Sequence, residues 1–206
     1  AEMMDEILNL QRIDEGVFSL QKEAMDWTEL VKQQFNLFNG LAQKKQLIYR
    51  LELVPAQPCI VAINQKKVTR ILQNLISNAI KYTPDNGQVV VRTEILDKEL
   101  FFTVKDNGPG IPIEEQSSIF KRYYQGQAAK GSAQPGYGIG LALSVEYAKL
   151  MGAELWVESQ PNRGSMFFFR LAKEEVEPST EITIVEPVPV TSFTTSAVIQ
   201  SHRPKN

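Results

Sequence analysis

Along this chain the spacing of apolar residues changes period several times, and each change marks an element. Met4, Ile7, Leu8 and Ile13 fall near helical spacing, and Leu30, Val31, Phe35, Leu37, Phe38 and Leu41 do so again. Residues 1–46 therefore read as helical, with Gly16 interrupting or ending a first helix and a second running over 26–46. The period then drops to two. Leu47, Tyr49, Leu51 and Leu53 share one face of a predicted strand. Pro55 and Pro58 punctuate the chain, and residues 59–63 form a further short strand. After Asn64, an N-cap residue type, Val68, Ile71, Leu72, Leu75, Ile76, Ala79 and Ile80 follow i, i+3, i+4, i+7 spacing without a miss. Residues 83–87 close that helix with Pro84, Asn86 and Gly87.

Residues 89–94 and 100–104 read as neighbouring strands joined through 96–99. Periodicity then fades over residues 106–140, a stretch with seven glycines in which only a short helix over 113–121 is predicted. A helix over 141–151 stops at Gly152, and strands over 155–158 and 166–171 complete the set. From Lys173 onward Glu, Pro, Ser and Thr dominate, the composition of a disordered linker. No repeat is visible.

Composition narrows the class. A length of 206 residues suits one domain with extra segments at its ends, and a 43% hydrophobic share is enough for a packed core. A net charge of -2 carries no basic excess for nucleic acid. Cys59 stands alone, so neither an intrachain disulfide nor a cysteine zinc cluster can form. No run approaches the ~20 apolar residues of a membrane helix, and no signal peptide is seen. The chain starts at Ala1 rather than a methionine, which points to an excised piece.

The long loop calls for an explanation, because structureless spans of that length are usually functional or disordered. It opens with Asp106, Asn107, Gly108, Pro109, Gly110 and Ile111 after a strand, and closes with Gly136, Tyr137, Gly138, Ile139, Gly140 and Leu141 before a helix. Glycines at a helix N-terminus let backbone N–H groups approach an anion, and the dipole favours negative charge there. A glycine trio alone is equally a turn-rich surface loop. A Rossmann fingerprint fails, since Leu141 holds the third-glycine position and the motif comes late; a Walker loop fails for want of Gly-Lys-Ser/Thr. The 64–82 helix adds chemistry. Asn74 and Asn78 are i, i+4, Lys81 follows three residues on, and Tyr82 adjoins that polar stripe. Such a stripe is also what a solvated helix edge looks like, but two carboxamides and an ammonium suit a magnesium–triphosphate group.

Four segments occur in order: Asn74-Leu75-Ile76-Ser77-Asn78-Ala79-Ile80-Lys81-Tyr82-Thr83-Pro84, the Asp106–Pro112 glycine loop, Ile119-Phe120-Lys121-Arg122-Tyr123-Tyr124, and the 136–141 glycine run. They resemble the N, G1, F and G2 boxes of the histidine kinase ATPase domain, within the Bergerat-fold superfamily. Asn162-Arg163-Gly164-Ser165 resembles the family's weaker closing motif, and the likeness covers residues 2–171.

The resemblance implies a two-layer α/β sandwich: a mixed, mostly antiparallel sheet of about five strands with about three helices on one face. ATP is expected between the 64–82 helix and the loop, away from the sheet. By the same resemblance, Asn78 coordinates Mg²⁺ with Asn74 assisting, and Lys81 and Tyr82 contact phosphate or ribose. Asp106 accepts from the adenine amine, Gly108 and Gly110 pass close to the base, and Ile111 lies against its ring. Arg122 stabilises the γ-phosphate, and Ser165 reaches adenine through water. Gly136, Gly138 and Gly140 hinge the ATP lid and cradle phosphate through backbone amides, with Tyr137, Ile139 and Leu141 among the cofactor-binding residues. One departure is informative. Gyrase-like and MutL-like relatives carry a water-activating glutamate where Asn74 stands, and an asparagine cannot act as a base; this favours phosphotransfer over hydrolysis.

Residues 8–16 resemble the end of the kinase dimerisation hairpin, which divides the chain into a hairpin remnant (1–22), an ATP-binding catalytic domain (23–173) and a linker or tail (174–206). The acceptor histidine belongs upstream of Ala1, since the sole histidine, His202, lies in the proline-broken tail. The resemblance thus implies a cytoplasmic protein-histidine kinase domain, a homodimer in its full-length form, where most relatives cross a membrane. Its partners are then its own phosphoacceptor domain and a response-regulator receiver domain, which the tail leads toward in a hybrid kinase. A Bergerat-fold ATPase of another class and a non-catalytic nucleotide sensor are the alternatives.

Overall fold

The structure, a computed structural model, describes Leu8, Gln11 and residues 21–126 and 137–174. Leu8 and Gln11 are helical. The rest of the 1–20 segment, the tail beyond Glu174 and Gly136 of the glycine run lie outside the described residues.

In chain order the elements are β1 (Glu23–Asp26), α1 (Trp27–Leu37), α2 (Asn39–Lys44), β2 (Ile48–Val54), β3 (Ile60–Ile63), α3 (Gln65–Tyr82), β4 (Gln88–Ile95), β5 (Glu99–Asp106), α4 (Ile113–Gln116), α5 (Gly140–Leu150), β6 (Glu154–Gln160) and β7 (Gly164–Ala172). Five strands form one sheet in the order β2-β4-β5-β7-β6. Only the β2–β4 pair is parallel, so the sheet is mixed and mostly antiparallel, as the family resemblance implies.

Strand alternation divides the sheet into a packed face and an open one. Val89, Val91, Leu100, Phe102, Val104, Phe167 and Phe169 face the core. Register aligns them across the strands, Val91 opposite Val104 and Val104 opposite Phe167. Against this face lie Trp27, Leu30 and Val31 of α1, the whole apolar stripe of α3, and Leu143, Tyr147 and Ala148 of α5. The buried Trp27 indole N–H donates to Thr93 Oγ1 at 2.8 Å, and Thr93 passes its own proton to Phe101 O at 2.7 Å. No polar atom is therefore left unpaired in that part of the core. The open face carries Arg92 with Glu52 and Glu94, Arg170 with Glu99 and Glu154, and Trp156 stacked on Phe168.

All seven apolar positions of the predicted α3 stripe are buried, and Asn64 caps the helix by accepting the Lys67 N–H at 3.1 Å. The helical reading of 26–46 needs correction. Asp26 ends a four-residue strand and caps α1 through the Thr28 and Glu29 N–H groups. The helix then breaks at Phe38 before α2 restarts. Strand β1 exists because β3 pairs with it antiparallel across some forty residues of chain, a partner that local periodicity cannot register. The helix predicted over 113–121 shortens to α4, followed by turns.

Candidate functional site

The polar stripe of α3 and the glycine loop meet in a cavity of about 580 Å³, within the range that holds a ligand of nucleotide size. Asn74, Asn78, Lys81, Tyr82, Asp106, Gly110, Ile111, Tyr137, Gly138, Ile139, Gly140, Leu141 and Ser165 all line it. The sheet contributes more than expected: Asp106 at the end of β5 and Ser165 and Phe167 of β7 form part of the wall, so the cavity is not held away from the sheet. Among the described residues, two expected ones are not in the lining. Gly108 acts from behind, and Arg122 sits exposed on the turn after α4.

Asp106 is 7% exposed, on the packed face of β5. Its Oδ1 accepts the Gly108 N–H at 2.8 Å and the Ser165 N–H at 3.3 Å. Among the described residues its other oxygen accepts nothing. Burial pushes the carboxyl above its ordinary range, and the two N–H donors offset part of that.

The loop that carries Asp106 is laced to the β6–β7 turn. Ile111 N–H donates to Ser159 Oγ at 2.8 Å, Asn162 N–H to Pro109 O at 2.7 Å, and Gln116 Nε2 to both Ile111 O and Ser159 O. Ser159 gives its single proton to Gly164 O, so Ser165 must be the donor in the 2.9 Å contact between the two hydroxyls. Gly110 takes φ +71°, and a Cβ there would overlap the Gln160 carbonyl oxygen; only glycine lets the loop lie against that turn.

At the opposite wall Asn74 Nδ2 donates to Ser144 Oγ of α5 at 2.9 Å, and Asn74 Oδ1 accepts Asn78 Nδ2 at 3.4 Å. Asn74 therefore spends its amide tying α3 to α5 and orienting its neighbour. With its nitrogen engaged, Asn78 has a carbonyl oxygen left to offer. A Cβ on Gly140 would overlap Asn74 Oδ1, so any larger residue at the start of α5 would have to displace the Asn74 carboxamide from Ser144 and Asn78.

Among the described residues helix α5 has no side-chain cap, whereas α1 and α3 are capped by Asp26 and Asn64. Its first residues line the cavity, so uncapped N–H groups and the positive dipole end open onto it. Lys81 lies over the Tyr82 ring, 5.0 Å from the centroid, and desolvation lowers its pKa. An anion beside it would favour the charged form.

Sequence reasoning passed over Arg70, Gln73 and Ser77, which also line the cavity. Their signal was present, since they continue the Asn74–Asn78–Lys81 stripe at helical spacing. Ser144 and Ser159 carried no such signal, because only the fold brings them to Asn74 and Ile111.

Residues 63–175 match the family described as histidine kinase-, DNA gyrase B-, and HSP90-like ATPase. The chain is 30% identical over 179 residues to the sensor histidine kinase WalK of Bacillus subtilis, covering 85% of this chain and 29% of WalK. It thus spans under a third of that relative's length. Full-length ShkA, solved in complex with AMPPNP, superposes with a TM-score of 0.73 at 23% identity over 86% of this chain and 36% of ShkA. Histidine kinase ThkA, solved in complex with response regulator protein TrrA, superposes with a TM-score of 0.65 at 22% identity over 84% of this chain and 48% of ThkA. These two likenesses speak to the fold. Four ordered sequence boxes, a five-stranded sheet with its helices on one face, and a family match over more than half the chain agree: this protein belongs to the histidine kinase-, DNA gyrase B- and HSP90-like ATPase family.

Proposed function

We propose that the cavity binds Mg-ATP and that the protein transfers the γ-phosphoryl group to a histidine on a dimerisation hairpin, from which it passes to a receiver aspartate. The observation that carries this reading is the convergence of four groups on one cavity: an Asp106 oxygen without a partner among the described residues, the Asn78 carbonyl, the Lys81 ammonium and the uncapped N-terminus of α5. ShkA was solved with AMPPNP and ThkA with a response regulator protein, which supports the same reading here.

Asp106 accepts from the adenine amine with its open oxygen, while the Gly108 and Ser165 N–H groups hold the other. Ile111 covers the base, Gly110 lets the backbone approach it, and Ser165 reaches it through water. Lys81 and Tyr82 receive phosphate or ribose, and the glycines that hinge the lid, with the α5 N–H groups, cradle the phosphate tail.

The donor set fits magnesium. Among the described residues no group of three or more His, Cys, Asp or Glu side chains could hold a metal. A cation here would take the Asn78 oxygen and complete its shell with phosphate and water oxygens, the usual habit of Mg²⁺. Bound Mg²⁺ would supply charge neutralisation on the phosphates. The resemblance gives Arg122 the role of stabilising negative charge on the γ-phosphoryl as it transfers; it sits exposed on the turn after α4. The attacking imidazole nitrogen forms the new N–P bond as the bond to the ADP oxygen breaks. Asn74 supplies no base, and its amide is engaged in positioning.

In the whole protein we place the hairpin end in 1–22, the catalytic domain in 23–173 and a linker toward a receiver in 174–206, in a homodimer whose catalytic domain faces the cytoplasm. Among the described residues no helix is long and apolar enough to cross a membrane.

The test supplies a hairpin fragment carrying the acceptor histidine together with labelled ATP. Label should appear on the fragment, and Asn78→Ala should abolish it. ATP binding without labelling would favour a nucleotide-sensing module; ATP turnover by the chain alone, lost in Asn78→Ala, would favour an ATPase.

A further inference from the structure

Lys45 lies outside every motif named above, immediately after α2. Its ammonium donates to three main-chain carbonyls where α3 ends: Ile80 O at 2.9 Å, Lys81 O at 3.1 Å, and Thr83 O. A lysine ammonium has three protons and no acceptor, so these bonds saturate it. The last four carbonyls of a helix lack intrahelical partners, and a cation is favoured at that end by the dipole. Thr83 serves the preceding carbonyl, Ala79 O, through its N–H at 3.0 Å and its hydroxyl at 2.6 Å.

The main chain of Lys45 is fixed to the same turn. Its N–H donates to Leu41 O at 3.3 Å, its carbonyl accepts the Asn86 N–H at 2.9 Å, and Ile48 N–H donates to Gly87 O at 2.8 Å. The ammonium is thereby anchored from below by the segment it caps. The carbonyls it holds belong to the turn that presents Lys81 and Tyr82 to the cavity, one turn beyond Asn78.

We propose that Lys45 is a positioning residue for the nucleotide site: by clamping the three carbonyls at the end of α3, it sets the placement of Lys81 and Tyr82. This rests on reading the cavity as a Mg-ATP site. Without the ammonium, three converging carbonyl oxygens lose their shared donor and the last turn of α3 loosens. A hole left at this position faces three hydrogen-bond acceptors that converge on one point, so an ammonium ion, which can donate to all of them as the lysine does, should substitute where neither a hydrophobic chain nor a sodium ion, which has no N–H to donate, can.

The test is calorimetric titration of Mg-ATP into the 206-residue chain, with folding verified by circular dichroism at the same temperature. Lys45→Met, which fills the space, should bind about tenfold more weakly than wild type, a loss of about 1.4 kcal/mol. Lys45→Ala should be equally weak in sodium chloride and regain most of its affinity in ammonium or methylammonium chloride, with wild type and Lys45→Met unresponsive to the exchange. Lys45→Met binding as tightly as wild type sinks the proposal, as does affinity that falls only in step with the folded fraction, or an Lys45→Ala protein deaf to ammonium. Wild type failing to bind Mg-ATP would sink the reading of the cavity and this proposal together.

Discussion

Asp106 carries two demands that oppose each other. Recognition of an adenine amine needs an ionised carboxylate, yet the residue is buried where ionisation is disfavoured. Its folded-state pKa is raised, so the folded protein holds more protons than the unfolded chain between the two values, and stability falls as pH rises through that window. Above it, the buried charge is a standing cost. Asp106→Asn removes that cost, and the substituted amide must keep its oxygen toward the Gly108 and Ser165 N–H groups. Its NH₂ then faces the adenine amine, donor against donor. The expected outcome at pH 7 is a melting temperature no lower than wild type, with Mg-ATP affinity reduced by about tenfold or more and the preference shifted toward GTP. Thermal melts and titrations with both nucleotides check this. In the wild-type protein, affinity should decline on acidification at a higher pH than an ordinary exposed carboxylate would dictate.

Helix α3 does two jobs on two faces. Its buried stripe ties the helix to the sheet and to α1 and α5, while its polar stripe supplies Asn74, Asn78 and Lys81. Leu75 is fully buried beside Asn74, so Leu75→Ala should cost about 2–5 kcal/mol. A lower urea midpoint with an unchanged slope would register the loss. Because Leu75 faces away from the cavity, ATP affinity should hold wherever the variant remains folded. Loss of affinity in folded protein would mean that the two faces are mechanically coupled. Helix α5 is the complement: its N-terminus is left uncapped where α1 and α3 are capped, an omission that costs helix stability and leaves donors for an anion.

At the scale of the molecule, the cavity is where α3, α5, the glycine loop and one end of the sheet meet. A ligand there bridges elements that are far apart in sequence and binds only the folded chain. At a hundredfold excess over Kd this linkage is worth about 2.7 kcal/mol, which in a chain of this length is a melting-temperature rise of about 5–10 °C. Mg-ATP should produce it. ATP with EDTA should give a smaller rise, and Mg-GTP little or none. Equal shifts for ATP and GTP would contradict the role assigned to Asp106.

The strictly periodic parts of this protein could be read before any fold was known. The α3 stripe, the alternating strands and the glycine runs are local patterns, and local steric and hydrophobic rules dictate them; so too is the order of the four boxes. The β1 strand could not be read that way, since it answers to β3 far along the chain, and the break at Phe38 and the shortened α4 interrupt stretches whose composition reads as continuous helix. The site divides likewise. Asn78, Lys81 and Asp106 announce themselves by type and spacing, whereas the Ser144 hydroxyl that orients Asn74, the Ser159 that pins Ile111 and the Lys45 that caps α3 are ordinary residues in the linear chain. Hydrogen bonds act over about 3 Å whatever the separation along the chain. Folding alone therefore chose which serine and which lysine the site would lean on.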